Sequence, residues 1–176
     1  MEIVVENLVA TQENTAAGKQ TLAWGIVLGG LTSGLLDFVF ASTQAVFAGR
    51  SMLAPWKGVA GGLLGPAARD GGVAIAFLGI ALHFMFTFGA AAILSVCVWR
   101  LPWFAKRPLV TGVLFGFGFL LVMNYVILPL SAIGRPIYVG RGFLTAIVGH
   151  IIMIGLPIAW FVTRASRLAK IEAHAK

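Results

Sequence analysis

Apolar and polar positions along this chain separate into long blocks instead of alternating. Four stretches are almost wholly apolar: Thr21 to Gly49, Val73 to Val98, Leu109 to Ile133 and Phe143 to Val162. The hydrocarbon layer of a bilayer is about 30 Å thick and an α-helix rises about 1.5 Å per residue, so about 20 such residues cross it. Each stretch meets that length. The pattern predicts a single membrane domain over 1–176: a surface segment at 1–20, spans at 21–49, 73–98, 109–133 and 143–162, connections at 50–72, 99–108 and 134–142, and a basic tail at 163–176. Successive spans joined by short connections imply an all-α integral membrane fold, a four-helix antiparallel bundle.

The segments between spans refine this outline. Loop 1 places Pro55-Trp56-Lys57 ahead of Gly58, Gly61, Gly62 and Gly65 among apolar residues. It is too short to cross and too apolar to stand free, which predicts an interfacial or re-entrant helix with Pro55 in its first turn. It would serve either as a lid on the bundle or as a gate over a cavity. The chain opens with Glu2 and Glu6 around a short apolar patch, not with the basic region of a secretory signal, so the first span is expected to be retained. The tail is expected to continue span 4 as a helical anchor, with Arg164, Arg167 and Lys170 toward head groups and Leu168 and Ile171 toward the membrane. Small residues repeat four apart at Gly25/Gly29, Gly30/Gly34 and Gly112/Gly116, a spacing that lets helices approach closely in lipid, within one chain or between copies.

Composition agrees with a bilayer as solvent. Of 176 residues, 59% are hydrophobic and 11% charged, whereas about a quarter of residues are charged in soluble domains. The net charge of +7 comes from residues at span edges, where they meet anionic lipid head groups, and this argues against a nucleic-acid partner. Both termini and loop 2 share one side of the membrane. That side carries Lys19, Arg100, Lys106, Arg107, Arg164, Arg167, Lys170 and Lys176; the other carries Arg50, Lys57, Arg69, Arg135 and Arg141. Eight against five predicts cytoplasmic termini. Trp24, Trp99, Trp103 and Trp160 fall near span ends, as interfacial anchors do. Cys97 is the single cysteine, so an internal disulfide is excluded.

Strongly polar groups inside the spans are few, and each needs a partner or a purpose, because an Asp at a helix centre costs about 2.5–3.5 kcal/mol on insertion scales. They are Asp37, His83, Asn124 and His150, one per span. Counted from the non-cytoplasmic span ends they lie 12, 10, 9 and 7 residues deep, within about 8 Å of one another along the axis. They form one predicted layer in the half of the membrane away from the termini. Asp37-Phe38-Val39-Phe40 echoes Asn124-Tyr125-Val126-Ile127, each followed by a Gly-Arg pair (Gly49-Arg50 and Gly134-Arg135), which raises a tandem duplication of a helix hairpin. In that arrangement His83 and His150 face each other.

Three readings of the layer stand. It is hydrogen-bonded glue, in a structural protein or an accessory subunit of a larger membrane complex or homo-oligomer. It is a pathway for protons, ions or a small solute, with Arg50, Arg69, Arg135 and Arg141, helped by Lys57, at its mouth and a kink at Pro129. Or it is a redox or metal site, with His83 and His150 ligating a haem b, or the two histidines and Asp37 binding a metal ion. No nucleophile, base and orienting group occur at a recognised spacing, and Gly58 to Gly65 lack the Lys-Ser/Thr of a phosphate loop, so nothing points to an enzyme.

The segment Val122-Met123-Asn124-Tyr125-Val126-Ile127-Leu128-Pro129-Leu130-Ser131, preceded by His83-Phe84 and followed by His150 and Gly155-Leu156-Pro157, resembles a group of small four-span bacterial inner-membrane proteins of unknown function, YagU-like, over Gly30 to Pro157. The resemblance implies the four-span topology and a bacterial inner membrane. It implies no activity for Asp37, His83, Asn124 or His150.

Overall fold

The computed structural model describes residues 2–174, with side chains described for residues 16–172. Among the described residues every regular element is a helix. Four helices are long and apolar enough to cross a membrane: Ala16–Phe47 within α1 (Glu2–Phe47), α3 (Val73–Arg100), α5 (Pro108–Leu130) and α6 (Gly140–Glu172), whose helix continues to His174. Between them lie α2 (Ala54–Leu64), a 3₁₀ turn (Pro66–Asp70) and the short α4 (Pro102–Lys106). In the most apolar window of each long helix only 17% to 33% of residues are buried within the protein, so most of the apolar surface faces outward, as lipid requires.

Helix α1 is continuous because nothing interrupts it: the first proline in the chain is Pro55. Its polar stretch before the first span is therefore helical, and from Gly18 onward it packs along the end of α6, where the Thr21 hydroxyl donates to the Glu172 carboxylate at 2.9 Å. The tail beside it is likewise helical. Ala165, Ser166 and Ala169 turn inward, while Arg164, Arg167, Leu168 and Ile171 remain exposed. Helix α1 ends at Gly49, whose φ of +69° permits the bonds Gly49 N–H to Val46 O and Arg50 N–H to Ala45 O, a Schellman stop.

Helix α6 is the centre of the packing, lying on α1, α3 and α5, while α1 also packs on α3. Glycine makes these approaches close. Gly25 and Gly29 of α1 meet Ala165 and Ile158 of α6, Gly30 and Gly34 meet Phe88 and Phe84 of α3, and Gly112 and Gly116 of α5 meet Leu156, His150 and Ile151 of α6. All of the four-spaced glycines in the spans are thus used within one chain. On α3, Gly79 admits the backbone of Trp56 from α2, so loop 1 lies directly on the long helices.

Two helices widen locally into π-helical turns, Met123–Ile127 in α5 and His150–Gly155 in α6. Each is followed by Leu-Pro, at Leu128-Pro129 and Leu156-Pro157. A proline ring collides with the carbonyl four residues earlier, here Tyr125 and Met153, and a wider turn moves that carbonyl aside without ending the helix. Each widened turn also holds one of the polar residues, Asn124 or His150.

The titratable residues of the interior lie at one end of it. Toward the termini, Ala90, Ala91, Leu94, Val98, Ala105, Ile154, Ile158, Ala159 and Val162 form an aliphatic cluster, with the hydroxyls of Ser95, Thr111, Thr163 and Ser166 buried at the same end. Asp37, His83 and His150 lie beyond it, toward loops 1 and 3.

The α5–α6 crossing gives a direct test. Gly116→Leu would drive a side chain into the His150 and Ile151 backbone, a clash whose overpacking cost is about 1–3 kcal/mol or more, whereas Gly118→Leu enters open space. Thermal unfolding in detergent is expected to show a clearly lowered midpoint for the first and a near wild-type midpoint for the second.

Candidate functional site: an aspartate and two histidines

The site begins at Asp37, an acid on α1 whose side chain is 18% exposed. Its Oδ2 lies 3.8 Å from Nδ1 of His83 on α3, a distance for an ion pair and longer than a direct hydrogen bond. The ring of His83 is fixed from its other side, where Nε2 is 3.0 Å from the Gly34 carbonyl oxygen. A carbonyl only accepts, so Nε2 carries a proton and donates it, and Nδ1 is the nitrogen turned toward Asp37. Gly34 suits this contact: a Cβ there would meet the Phe84 ring at 2.5 Å, so that ring would have to move.

Trp56 of α2 seals this pair. Its ring packs 4.9 Å from the His83 ring and stacks on Phe38 at 4.7 Å, and its indole N–H donates to the Ser42 hydroxyl at 3.0 Å. Trp56 is 2% exposed. Unlike Trp56, the tryptophans near the span ends, Trp24, Trp99, Trp103 and Trp160, are exposed, and Arg107 and Lys170 sit over the Trp103 and Trp99 rings.

His150 enters from α6. Its Nδ1 is 2.9 Å from the Ala146 carbonyl oxygen and donates to it, leaving Nε2 as the proton-accepting nitrogen. The two histidines are therefore held as opposite tautomers, each with one nitrogen committed to a backbone carbonyl and one free to take a proton. Asp37 lies within electrostatic reach of both rings.

Asn124 behaves differently from the other three. It is fully buried, and its carboxamide turns to loop 3: Oδ1 accepts from the backbone N–H groups of Ile137 and Tyr138 at 3.1 and 3.0 Å, and Nδ2 donates to the Tyr138 carbonyl at 3.1 Å. Three of the four expected residues thus converge, while the fourth secures the loop above them. The expected face-to-face histidine pair is replaced by separate environments: Trp56, Phe84 and Asp37 around His83, and Tyr138 and Phe119 around His150. Arg50, Arg69, Arg135 and Arg141 are all exposed.

Sequence reasoning missed Tyr138. Its ring meets His150 edge-on at 5.9 Å. Burial, and then the negative charge of Asp37, push its phenol up to about 12. The available signal was its setting: Pro136-Ile137-Tyr138-Val139 is too apolar for a free loop and stands just ahead of a span.

A haem or metal held by His83 and His150 does not fit this arrangement. His83 has Nε2 on the Gly34 carbonyl, Nδ1 toward Asp37, and the Trp56 and Phe84 rings packed around it. Among the described residues no group of three His, Cys, Asp or Glu side chains is close enough to hold a metal ion. No family model, curated protein or solved structure matches this chain.

The phenol supplies a pH prediction. With the folded value about 12 against an ordinary 10.0, stability is intact below pH 10 and declines as pH rises from 10 toward 12, because only the unfolded chain ionises in that window. In the tyrosinate absorbance, a component near pH 12 is expected that disappears in Tyr138→Phe and moves to lower pH in Asp37→Asn.

Proposed function

We propose that this chain is a multi-pass membrane protein that takes up and releases protons at Asp37, His83 and His150 from the side of loops 1 and 3, as one step in moving protons, an ion or a small solute. The observation that carries the reading is the Asp37–His83 pair. Oδ2 of Asp37 and Nδ1 of His83 face each other at 3.8 Å while Nε2 is committed to a carbonyl, so Nδ1 is the nitrogen turned to the acid. His150 offers a second acceptor nitrogen, so a proton arriving at the carboxyl has somewhere to go. An intramembrane acid with histidine neighbours is the arrangement expected of a proton relay.

An aliphatic cluster lies at the other end. The aliphatic side chains of that cluster offer no hydrogen-bonding path themselves, although the hydroxyls of Ser95, Thr111, Thr163 and Ser166 are buried at the same end. In this reading the four long helices form an antiparallel bundle in a bacterial inner membrane, with cytoplasmic termini on the side with more basic residues and α2 as its interfacial cover. The exposed arginines of loops 1 and 3 attract anions toward the end that holds Asp37, His83 and His150.

Proteoliposomes with an internal pH dye and an imposed potassium diffusion potential test the proposal. Wild-type protein and the control Asp70→Asn, at an exposed acid of loop 1, are expected to carry proton flux, with Asp37→Asn slower by at least about tenfold. A well-folded wild type no faster than Asp37→Asn would refute the reading.

A further inference from the structure

Loop 3 is held in an unusual way. The segment 135–139 has no helical structure and lies between two glycines with left-handed backbone, Gly134 at φ +69° and Gly140 at φ +55°. Glycine alone adopts that region at little cost, so both ends of the segment are natural points of rotation. Within it, two N–H groups and one carbonyl bond to a single side chain, that of Asn124. On the N-terminal side the loop is tied to α2 through Ala132 N–H and the Gly62 carbonyl at 2.9 Å. The latched segment carries Tyr138, whose ring stands against His150 and whose phenol feels the charge of Asp37.

We propose that segment 135–139 is a hinged cover over the cluster, that Tyr138 is the site residue through which protons reach Asp37 and His150, and that Asn124 is the positioning residue that latches it. A hydroxyl suits this task because it accepts and donates at once. It gives its proton to the carboxylate or to His150 Nε2 while taking one from the aqueous side, and so returns to its starting state with no net charge left on the ring. The assignment rests on the proton-exchange reading for the role of Tyr138; the latch stands or falls independently of it. Asn124 suits the latch because it is fully buried, so its amide hydrogen bonds have no water to compete with them. The widened turn before Pro129 is what carries it.

Two readouts test this. The first is carbethoxylation of His150 by diethyl pyrocarbonate in the intact protein in detergent, followed residue by residue by mass spectrometry. Asn124→Ala is expected to raise the rate at His150 by about tenfold as the cover opens, with Asn124→Asp also raised, because it keeps the oxygen that both backbone amides use but sets an acceptor against the Tyr138 carbonyl. Tyr138→Phe keeps the ring and is expected to leave protection unchanged. An Asn124→Ala rate within about twofold of wild type would overturn the latch, and if that variant unfolds, Asn124→Ser replaces it. The second readout is liposome proton flux, in which Tyr138→Phe is expected to fall by about tenfold despite intact protection. Normal flux in Tyr138→Phe would overturn its role, whereas absent flux in the wild type as well would refute the proton reading and leave the latch to be judged on modification alone.

Discussion

A carboxyl group within an apolar helix must find a partner, and the interior of this protein is organised around that requirement at Asp37. The partner is His83, whose position depends on α1 and α3 approaching at Gly34, where no Cβ stands in the way. The same glycine supplies the carbonyl that fixes the ring. Trp56 then closes the pair from loop 1, and its own close approach depends on Gly79. Removing the acid from this chain of contacts would leave an orientation of His83 that nothing needs.

A second set of contacts brings His150 and Tyr138 to the same place, and it begins with proline. Pro129 and Pro157 each follow, two residues on, a wider turn that makes room for the ring, and those turns carry Asn124 and His150. On α6 the widened segment lies against Gly112 and Gly116, so a backbone irregularity is accommodated where the neighbour has no side chain. Asn124 then directs its hydrogen bonds outward to the loop instead of inward to the acid. The result is a titratable cluster at one end of the interior and an aliphatic cluster at the other.

The four long helices were legible because apolar run length is a one-dimensional property, and Val73 to Val98 or Leu109 to Ile133 needs no partner to be recognised. The helix in loop 1 was legible from Pro55 and its apolar glycine-rich continuation. The membership of the polar set was legible as well, since a charged or amide side chain within a span is conspicuous. The site's membership was less so: Asn124 belongs with loop 3 and not beside Asp37, while Tyr138 joins the cluster from a connection whose sequence carries no catalytic signature. Equal depth along four helices does not specify which way each side chain points, because rotation about a helix axis by one residue turns it about 100°.

By itself, then, the sequence determined how many helices could cross a membrane, where they lie and which few polar residues they must accommodate, since these follow from the solvation cost of each residue in order. Only the tertiary structure decided which glycines meet which helices, which nitrogen of each histidine is free, and that Asn124 holds Tyr138 over His150. Those outcomes depend on the rotation and spacing of helices against one another. Both are set by side chains far apart in the chain, such as Gly34 with Phe84 and Gly116 with His150.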